Sequence, residues 1–274
     1  MKTLKIASWN INSVRLRAPQ IARFAKDENP DIITLQEIKC LEEQFPRDAF
    51  LEMGYPYIEI AGQKGMHGTA TVSRLALERM DTDFCPEGHA RHVSTNVDFG
   101  KNSFELHNFY IPAGGDEPDA EINPKFAHKL AFLEAMTTYF HKRARENPKL
   151  VLTGDFNIAP HENDVWSHKQ LLKVVSHTPL EVDILAGLQA AGDFTDTSRL
   201  FASDDEKLYS WWSYRSRDIN KSDRGRRLDH IWVSPALKSV VEKAGPKGHQ
   251  LHRPCRLWER PSDHVPITQI LDFS

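Results

Sequence analysis

The chain has 274 residues and a formal net charge of −3, with 40% of its residues hydrophobic and 27% charged, enough for one large globular domain with a full core or for two small ones. Its three cysteines, Cys40, Cys85 and Cys255, are widely spaced with no CxxC pair, which argues against a disulfide framework or a thiolate zinc site and for a reducing, cytoplasmic setting. No stretch approaches the roughly 20 apolar residues of a membrane helix, the N-terminus runs straight into strand-like alternation without a leader's apolar core, and so a soluble, unexported protein is expected.

Residues 4–9, LKIASW, alternate in polarity and predict a first strand ending at Asn10. Ile21, Phe24 and Ala25 share a face and predict a helix from about Pro19 to Asp27, stopped before Pro30. The β-branched run of Ile32, Ile33 and Thr34 predicts a second strand ending in Gln36 and Glu37. Between Tyr57 and Phe109 four short alternating segments separated by turn signals read as an antiparallel meander, which delivers Tyr110 ahead of the Pro112–Gly115 loop. Phe126, Leu130, Leu133, Thr137 and Phe140 recur at helical spacing, predicting a long amphipathic helix over 124–146.

That helix leads into LVLTGDFN, residues 150–157, an apolar strand that breaks at Gly154 and presents Asp155, Phe156 and Asn157 at its carboxyl end. Alone, the GDxN pattern suits an ordinary Asx turn. It also suits a site where a carboxylate and a carboxamide hold a water or a phosphate oxygen. A loop carrying His161, His168 and His177 follows, its histidines expected to face solvent, then a helix opened by Pro179 and closed before Gly192. The segments LYSWWSYR, RRLDHIWVS and SDHVPITQILDF read as further strands. With no repeat, linker or composition shift, residues 1–274 are expected to form one α/β domain of two packed mixed β-sheets flanked by helices.

Polar groups stand at strand boundaries in separate segments: Asn10, Glu37, Tyr110, Asp155 with Asn157, and Asp263 with His264. Together they supply what metal-assisted phosphodiester hydrolysis requires, and the oxygen donors Asn10, Glu37 and Asp263 suit Mg²⁺ or Mn²⁺ better than zinc. In order, Ser8-Trp-Asn10-Ile-Asn12, Leu35-Gln-Glu37, Asn108-Phe-Tyr110-Ile-Pro112, Gly154-Asp155-Phe-Asn157, Arg227-Leu-Asp229 and Ser262-Asp263-His264 resemble the exonuclease III family of apurinic/apyrimidinic endonucleases, a resemblance covering nearly the whole chain.

The resemblance implies that Glu37 is the principal metal ligand, with Asn10 and Asp263 near the ion. It further implies that Asp155 orients or deprotonates the attacking water, that Asn157 places it, and that Tyr110 contacts the phosphate or the leaving oxygen. His264, oriented by Asp229, would donate to a non-bridging oxygen. The implied activity is Mg²⁺-dependent incision 5′ to abasic sites in double-stranded DNA and clearing of blocked 3′ ends, with 3′→5′ exonuclease work; a monomer is expected, since a lone active site engaging one duplex needs no symmetry. A superfamily phosphatase acting on a lipid or inositol phosphate, and an inactive DNA-end-binding module, are the competing readings.

Substrate class turns on residues 209–228, where Trp211, Trp212 and Tyr214 are interleaved with Arg215, Arg217, Lys221, Arg224, Arg226 and Arg227. By resemblance this is a DNA-binding hairpin in which Trp211 and Leu228 line a pocket for an extruded abasic sugar. Arg15, Arg17 and Lys64 are further candidate phosphate contacts. Two departures from the family pattern stand out: Ala113 where relatives commonly carry Asn or Gln, and Arg226 where some place an aromatic wall.

Overall fold

The computed structural model describes residues 2–82, 84, 85, 87–216 and 218–274. The first half runs β1 (Thr3–Asn10), α1 (Val14–Glu28), β2 (Ile32–Gln36), α2 (Arg47–Glu52), β3 (Tyr57–Ala61), β4 (Thr69–Ser73), β5 (Leu77–Met80), β6 (His92–Val97), β7 (Phe104–Tyr110) and α3 (Pro124–Arg143). The second half runs β8 (Leu150–Asp155), α4 (His168–Leu171), α5 (Pro179–Ala191), β9 (Thr195–Asp196), β10 (Trp211–Trp212), β11 (Gly225–Arg226), β12 (Asp229–Val233), α6 (Pro235–Ala244), β13 (His249–Leu251) and β14 (Ile267–Asp272). Among the described residues, no helix is long and apolar enough to cross a membrane.

Two mixed six-stranded sheets form the body, in the orders β13-β14-β1-β2-β4-β3 and β5-β6-β7-β8-β12-β9, with β10 and β11 as a separate ribbon. Each sheet contains one parallel pair, β1 with β2 and β7 with β8, spanned by α1 and α3 respectively. Strand alternation sorts side chains into three layers. Leu4, Ile6, Ile32, Leu106, Val151 and Ile231 pack between the sheets. Ala7, Trp9, Ile33 and Leu35 turn outward beneath α1 and α2, and Phe109, Leu150 and Leu152 turn outward beneath α3 and α5.

Towards the carboxyl ends of the parallel strands the layer between the sheets becomes polar. Gln36 donates to Asn108 at 2.7 Å and to Ser8 at 3.2 Å, and Asn108 donates to the carbonyls of Leu35 and Ala70. The amide donors of this seam are thus satisfied, while Gln36 Oε1 is left without a partner among the described residues. This polar seam leads into the cluster described below.

Several elements differ from expectation. The meander is split: β3 and β4 join β2, whereas β5, β6 and β7 belong to the other sheet. Alternation reports which face of a strand is buried, not which strand lies beside it, and the short Arg74–Ala76 link crosses between sheets with Arg74 N–H bonded to Asp31 O and Ala76 O to Asp98 N–H. Helix α1 begins at Val14, placing Pro19 inside it, because Val14 and Arg17 are buried against the body. In α3 the buried stripe is Phe126, Lys129, Phe132, Leu133, Met136 and Phe140, with Lys129 inside and Leu130 only half-buried. Only Trp211–Trp212 of the LYSWWSYR segment is strand.

Candidate active site

Topology gathers the polar strand ends. Asn10, Glu37, Tyr110 and Asp155 lie at or just beyond the carboxyl ends of β1, β2, β7 and β8. Strand β12 is antiparallel to β8 with Asp229 opposite Asp155, so Asp229 enters the same end of the sandwich. His264 precedes β14, itself antiparallel to β1, and a bridge pairs it with Trp211. Gly154 makes the closeness between strands feasible: its φ is 142°, and a Cβ there would stand 1.9 Å from the Phe109 carbonyl oxygen of β7.

Asp155 Oδ2 accepts from Asn10 Nδ2 at 2.9 Å and from Asn157 Nδ2 at 3.2 Å, while Oδ1 accepts from the Asn157 N–H at 2.9 Å. Asn157, at φ 54°, also donates to the Ile111 carbonyl, so the loop folds back on its own strand end. His264 Nδ1 lies 2.8 Å from Asp229 Oδ2, and its Nε2 stands 3.7 Å from Asp155 Oδ2. Tyr110 donates to Glu37 Oε1 at 2.9 Å. These groups open on a cavity of about 380 Å³, which Trp211, Arg226 and Leu228 also line.

Electrostatics give the two sides of the cavity different tasks. Asp155 is raised to about 7, mainly by burial and further by Asp229 and Glu37, against the lowering pull of His264 and Asn10. Burial alone would lower His264, yet Asp229 and Asp155 hold it up to about 10, so its imidazole is cationic at neutral pH. Glu37 goes the other way: burial opposes its charge, but Lys39, the Asn10 amide and His264 lower it below its ordinary value. Burial, Glu37 and Asp155 push the Tyr110 phenol well up, keeping it a donor.

A hard divalent cation fits the Glu37 side of this cavity, where an ionised carboxylate is the leading oxygen donor. Glu37 Oε2 is held at 2.9 Å by the Lys39 ammonium, which also donates to Asn12 Oδ1 at 2.7 Å and stands where positive charge is favoured. Asn10 has a bridging task beside the expected place near the ion. Its amide nitrogen donates to both Glu37 and Asp155, and its oxygen accepts the Asn12 N–H, so it bridges two carboxylates that would otherwise repel. Asp263 lines the cavity, but Trp211 Nε1 and Asn12 Nδ2 each donate to one of its oxygens at 3.0 Å, leaving only spare lone pairs for an ion.

Beside the cavity a groove of about 610 Å³ is lined by Trp166, Trp211, Arg215, Lys221, Arg224 and Arg226. Arg224 lies 4.7 Å over the Trp166 ring and Arg226 5.3 Å over that of Trp211. Arg226 is held there by the Val175 carbonyl at 3.1 Å and Ser176 Oγ at 2.7 Å, and Trp211 packs in one apolar cluster with Leu228. Arg15 and Lys64 are exposed cations outside this groove, and Arg217 lies outside the described residues. Tyr214 is exposed, its hydroxyl tied to Asn12, Arg17 and Pro261.

Three residues of the basic aromatic stretch and its surroundings are corrected by burial. Trp212 is core, donating to Asp223 at 2.8 Å. Arg17 is spent on the carbonyls of Ile11, Asn12, Arg260 and Pro261. Arg227 is fully enclosed between Asp164 at 2.9 Å and Asp196 at 2.6 Å. His177 likewise does not face solvent: it is 2% exposed and sits 2.7 Å from the Ala159 carbonyl and 2.8 Å from exposed His168.

Sequence reasoning missed the strut behind the site. Lys129 Nζ, fully buried, bonds Glu181 Oε1 at 2.5 Å, the Asn157 carbonyl at 2.9 Å and the Ala113 carbonyl at 3.4 Å, tying both cavity loops to α5. Glu181 in turn accepts the N–H groups of Ser176 and Thr178. The signal was a lone lysine in the apolar stripe of α3. Lys129→Met is expected to cost about 3–5 kcal/mol in chemical denaturation by stranding the Glu181 carboxylate, and Lys129→Met with Glu181→Leu to recover most of it. A single variant within 1 kcal/mol of wild type, by the roughly unit scale of ordinary substitutions, contradicts the strut.

The family model described as "Endonuclease/Exonuclease/phosphatase family" matches residues 7–264. The exodeoxyribonuclease III of Haemophilus influenzae is 29% identical over 275 aligned positions, covering 96% of this chain and 98% of that protein. A solved 3′ phosphatase from Neisseria, bound to a product DNA hairpin, superposes with a TM-score of 0.86 at 30% identity, covering 98% and 99% of the two chains. An AP endonuclease from Archaeoglobus fulgidus gives a TM-score of 0.86 at 28% identity, with 98% and 99% covered.

Proposed function

The chain belongs to the endonuclease/exonuclease/phosphatase family, and from that premise we propose that it is a metal-dependent phosphodiesterase of DNA repair, incising duplex DNA 5′ to abasic sites and clearing blocked 3′ ends. Mg²⁺ is the proposed working ion, with Mn²⁺ as a substitute, and 3′→5′ exonuclease activity the proposed companion. The observation that carries the reading is one cavity shared by the Asp155 and His264–Asp229 groups and the Trp211–Arg226 wall of a cationic aromatic groove. A lipid or inositol headgroup has no use for the groove, and a mere binder has no use for the buried dyad.

In this reading Asp155 accepts the proton of a water while its oxygen bonds to phosphorus and the opposite P–O bond breaks. Asn157 holds that water against Asp155. His264 donates from Nε2 to a non-bridging oxygen as charge accumulates there. Tyr110, kept protonated, donates at the phosphate. A cation at Glu37 would supply Lewis-acid neutralisation of the phosphate. One set of catalytic groups among the described residues, serving one duplex, accords with a monomer, and DNA binding in the groove accords with a cytoplasmic, nucleoid-associated setting.

The test uses labelled duplexes carrying one abasic analogue, a 3′-phosphate or no lesion, and an inositol phosphate, each with Mg²⁺ or chelator. Mg²⁺-dependent product from the two lesion duplexes supports the reading; product from the inositol phosphate alone, or none at all, overturns it.

Arg226 on the face of Trp211 narrows the cavity, which sets a preference between the two lesions. Arg226→Ala should raise abasic incision relative to 3′-phosphate release, by about 10-fold for one well-placed contact, whereas Trp211→Ala should lower abasic incision further than 3′-phosphate release. Parallel changes in both activities would refute a role for this wall in choosing substrate.

A further inference from the structure

A second cluster of metal-binding groups lies away from the catalytic carboxylates. Cys85 and His89, from the connection between β5 and β6, and His128, from the second turn of α3, each bring a donor atom within 4.8 Å of the others. Cys85 Sγ stands 3.8 Å from His128 Nε2. In a tetrahedral zinc site with ordinary bond lengths, sulfur and nitrogen ligands stand about 3.5 Å apart, so the pair needs only a small adjustment.

The opposite edge of the His128 ring supplies an independent sign. Its Nδ1 lies 3.2 Å from Glu87 Oε1, a carboxylate that favours the proton on that nitrogen, while Nε2 faces Cys85. The same carboxylate reaches towards His89, with Oε2 3.6 Å from Nδ1. His89 Nδ1 is itself buried without a hydrogen-bond partner. A carboxylate beside both histidines, with a thiol and imidazole nitrogens converging on one another, forms the pattern of a metal centre with its supporting shell. The donors are soft and borderline, which selects zinc over Mg²⁺.

We propose that Cys85, His89 and His128 bind one Zn²⁺ ion, oriented by Glu87, with its fourth position open to the cavity of about 480 Å³ that His67, His89 and His128 line. Cysteine spacing gave no hint of this site, because it draws one cysteine and two histidines from segments about forty residues apart in sequence. The ion pins the 81–91 connection to α3. That connection ends at Arg91, whose guanidinium lies 4.9 Å over the Tyr110 ring, so the clamp also fixes the wall behind the catalytic cavity.

The full-length protein is stripped with chelator, dialysed, and titrated with zinc alone in the presence of excess Mg²⁺, with bound metal counted by elemental analysis. Cobalt is used in parallel, since a thiolate-to-cobalt charge-transfer band reports sulfur ligation. One zinc per chain, a cobalt band, and a melting temperature raised by zinc are expected for wild type. Cys85→Ser should abolish the band and the zinc-dependent melting shift while retaining the metal-free melting temperature. Glu87→Gln should keep the band and weaken zinc binding about 10- to 100-fold, as expected for an orienting partner. Glu37→Gln should retain stoichiometric zinc, separating this centre from the catalytic cation. Substoichiometric zinc in wild type, a cobalt band that survives Cys85→Ser, or zinc lost with Glu37→Gln but kept with Cys85→Ser would each overturn the proposal.

Discussion

Asp155→Asn is expected to lower the single-turnover rate on a lesion-bearing duplex by about 10³-fold or more, with little change in duplex affinity. General-base assistance accounts for about 10²–10⁴-fold in comparable chemistry, and the substitution also removes one of the charges that keep His264 protonated. Asn cannot accept the water's proton, and where Asp155 Oδ1 accepts the Asn157 N–H the new amide has one acceptor too few for its three donors. The loss should therefore fall on the chemical step. In the proposed function binding falls to the groove, which Asp155 does not line. Retention of more than about a tenth of the wild-type rate, far above what loss of the base allows, means that Asp155 is not the acceptor.

The second large effect is on pH dependence and on the dyad. In the proposed mechanism Asp155 acts as its anion, which gains population as pH rises through about 7. His264 acts there as its cation, which is lost as pH rises through about 10. Wild type should thus show a plateau between those limits, measured as kcat/KM against pH in constant metal. Asp229→Asn removes the charge that raises both groups, so both limbs should move to lower pH together. Its plateau should fall by about 10²-fold, as when an oxyanion donor is lost, with His264→Ala at least as severe. Limbs that stay put in Asp229→Asn contradict the electrostatic coupling of the three residues.

Legibility in the sequence followed the physics of each signal. Strand ends carrying Asn10, Glu37, Tyr110 and Asp155 were readable because apolar alternation stops abruptly at a polar residue, and parallel pairing within each sheet then gathers those ends. What each polar atom does was not readable. Asn10 was expected beside an ion, and that its nitrogen also ties two carboxylates together depends on which acceptors the other sheet brings. Cations in the 209–228 stretch look alike in sequence, but Arg224 and Arg226 reach the groove whereas Arg227 is buried between two aspartates from other segments. Lys129 was hidden for the converse reason: a lysine in an apolar stripe reads as an interruption until its partner Glu181, 52 residues on, is placed beside it.

Whether the Asp155 and His264–Asp229 groups hydrolyse phosphodiesters of DNA presented by the Trp211–Arg226 groove is tested most directly by single-turnover cleavage of one end-labelled lesion duplex by wild type and by Asp155→Asn, at matched bound fraction and with Mg²⁺ throughout. Product at the lesion is expected from wild type and almost none from Asp155→Asn at equal occupancy. Comparable product from the two proteins would contradict the assignment.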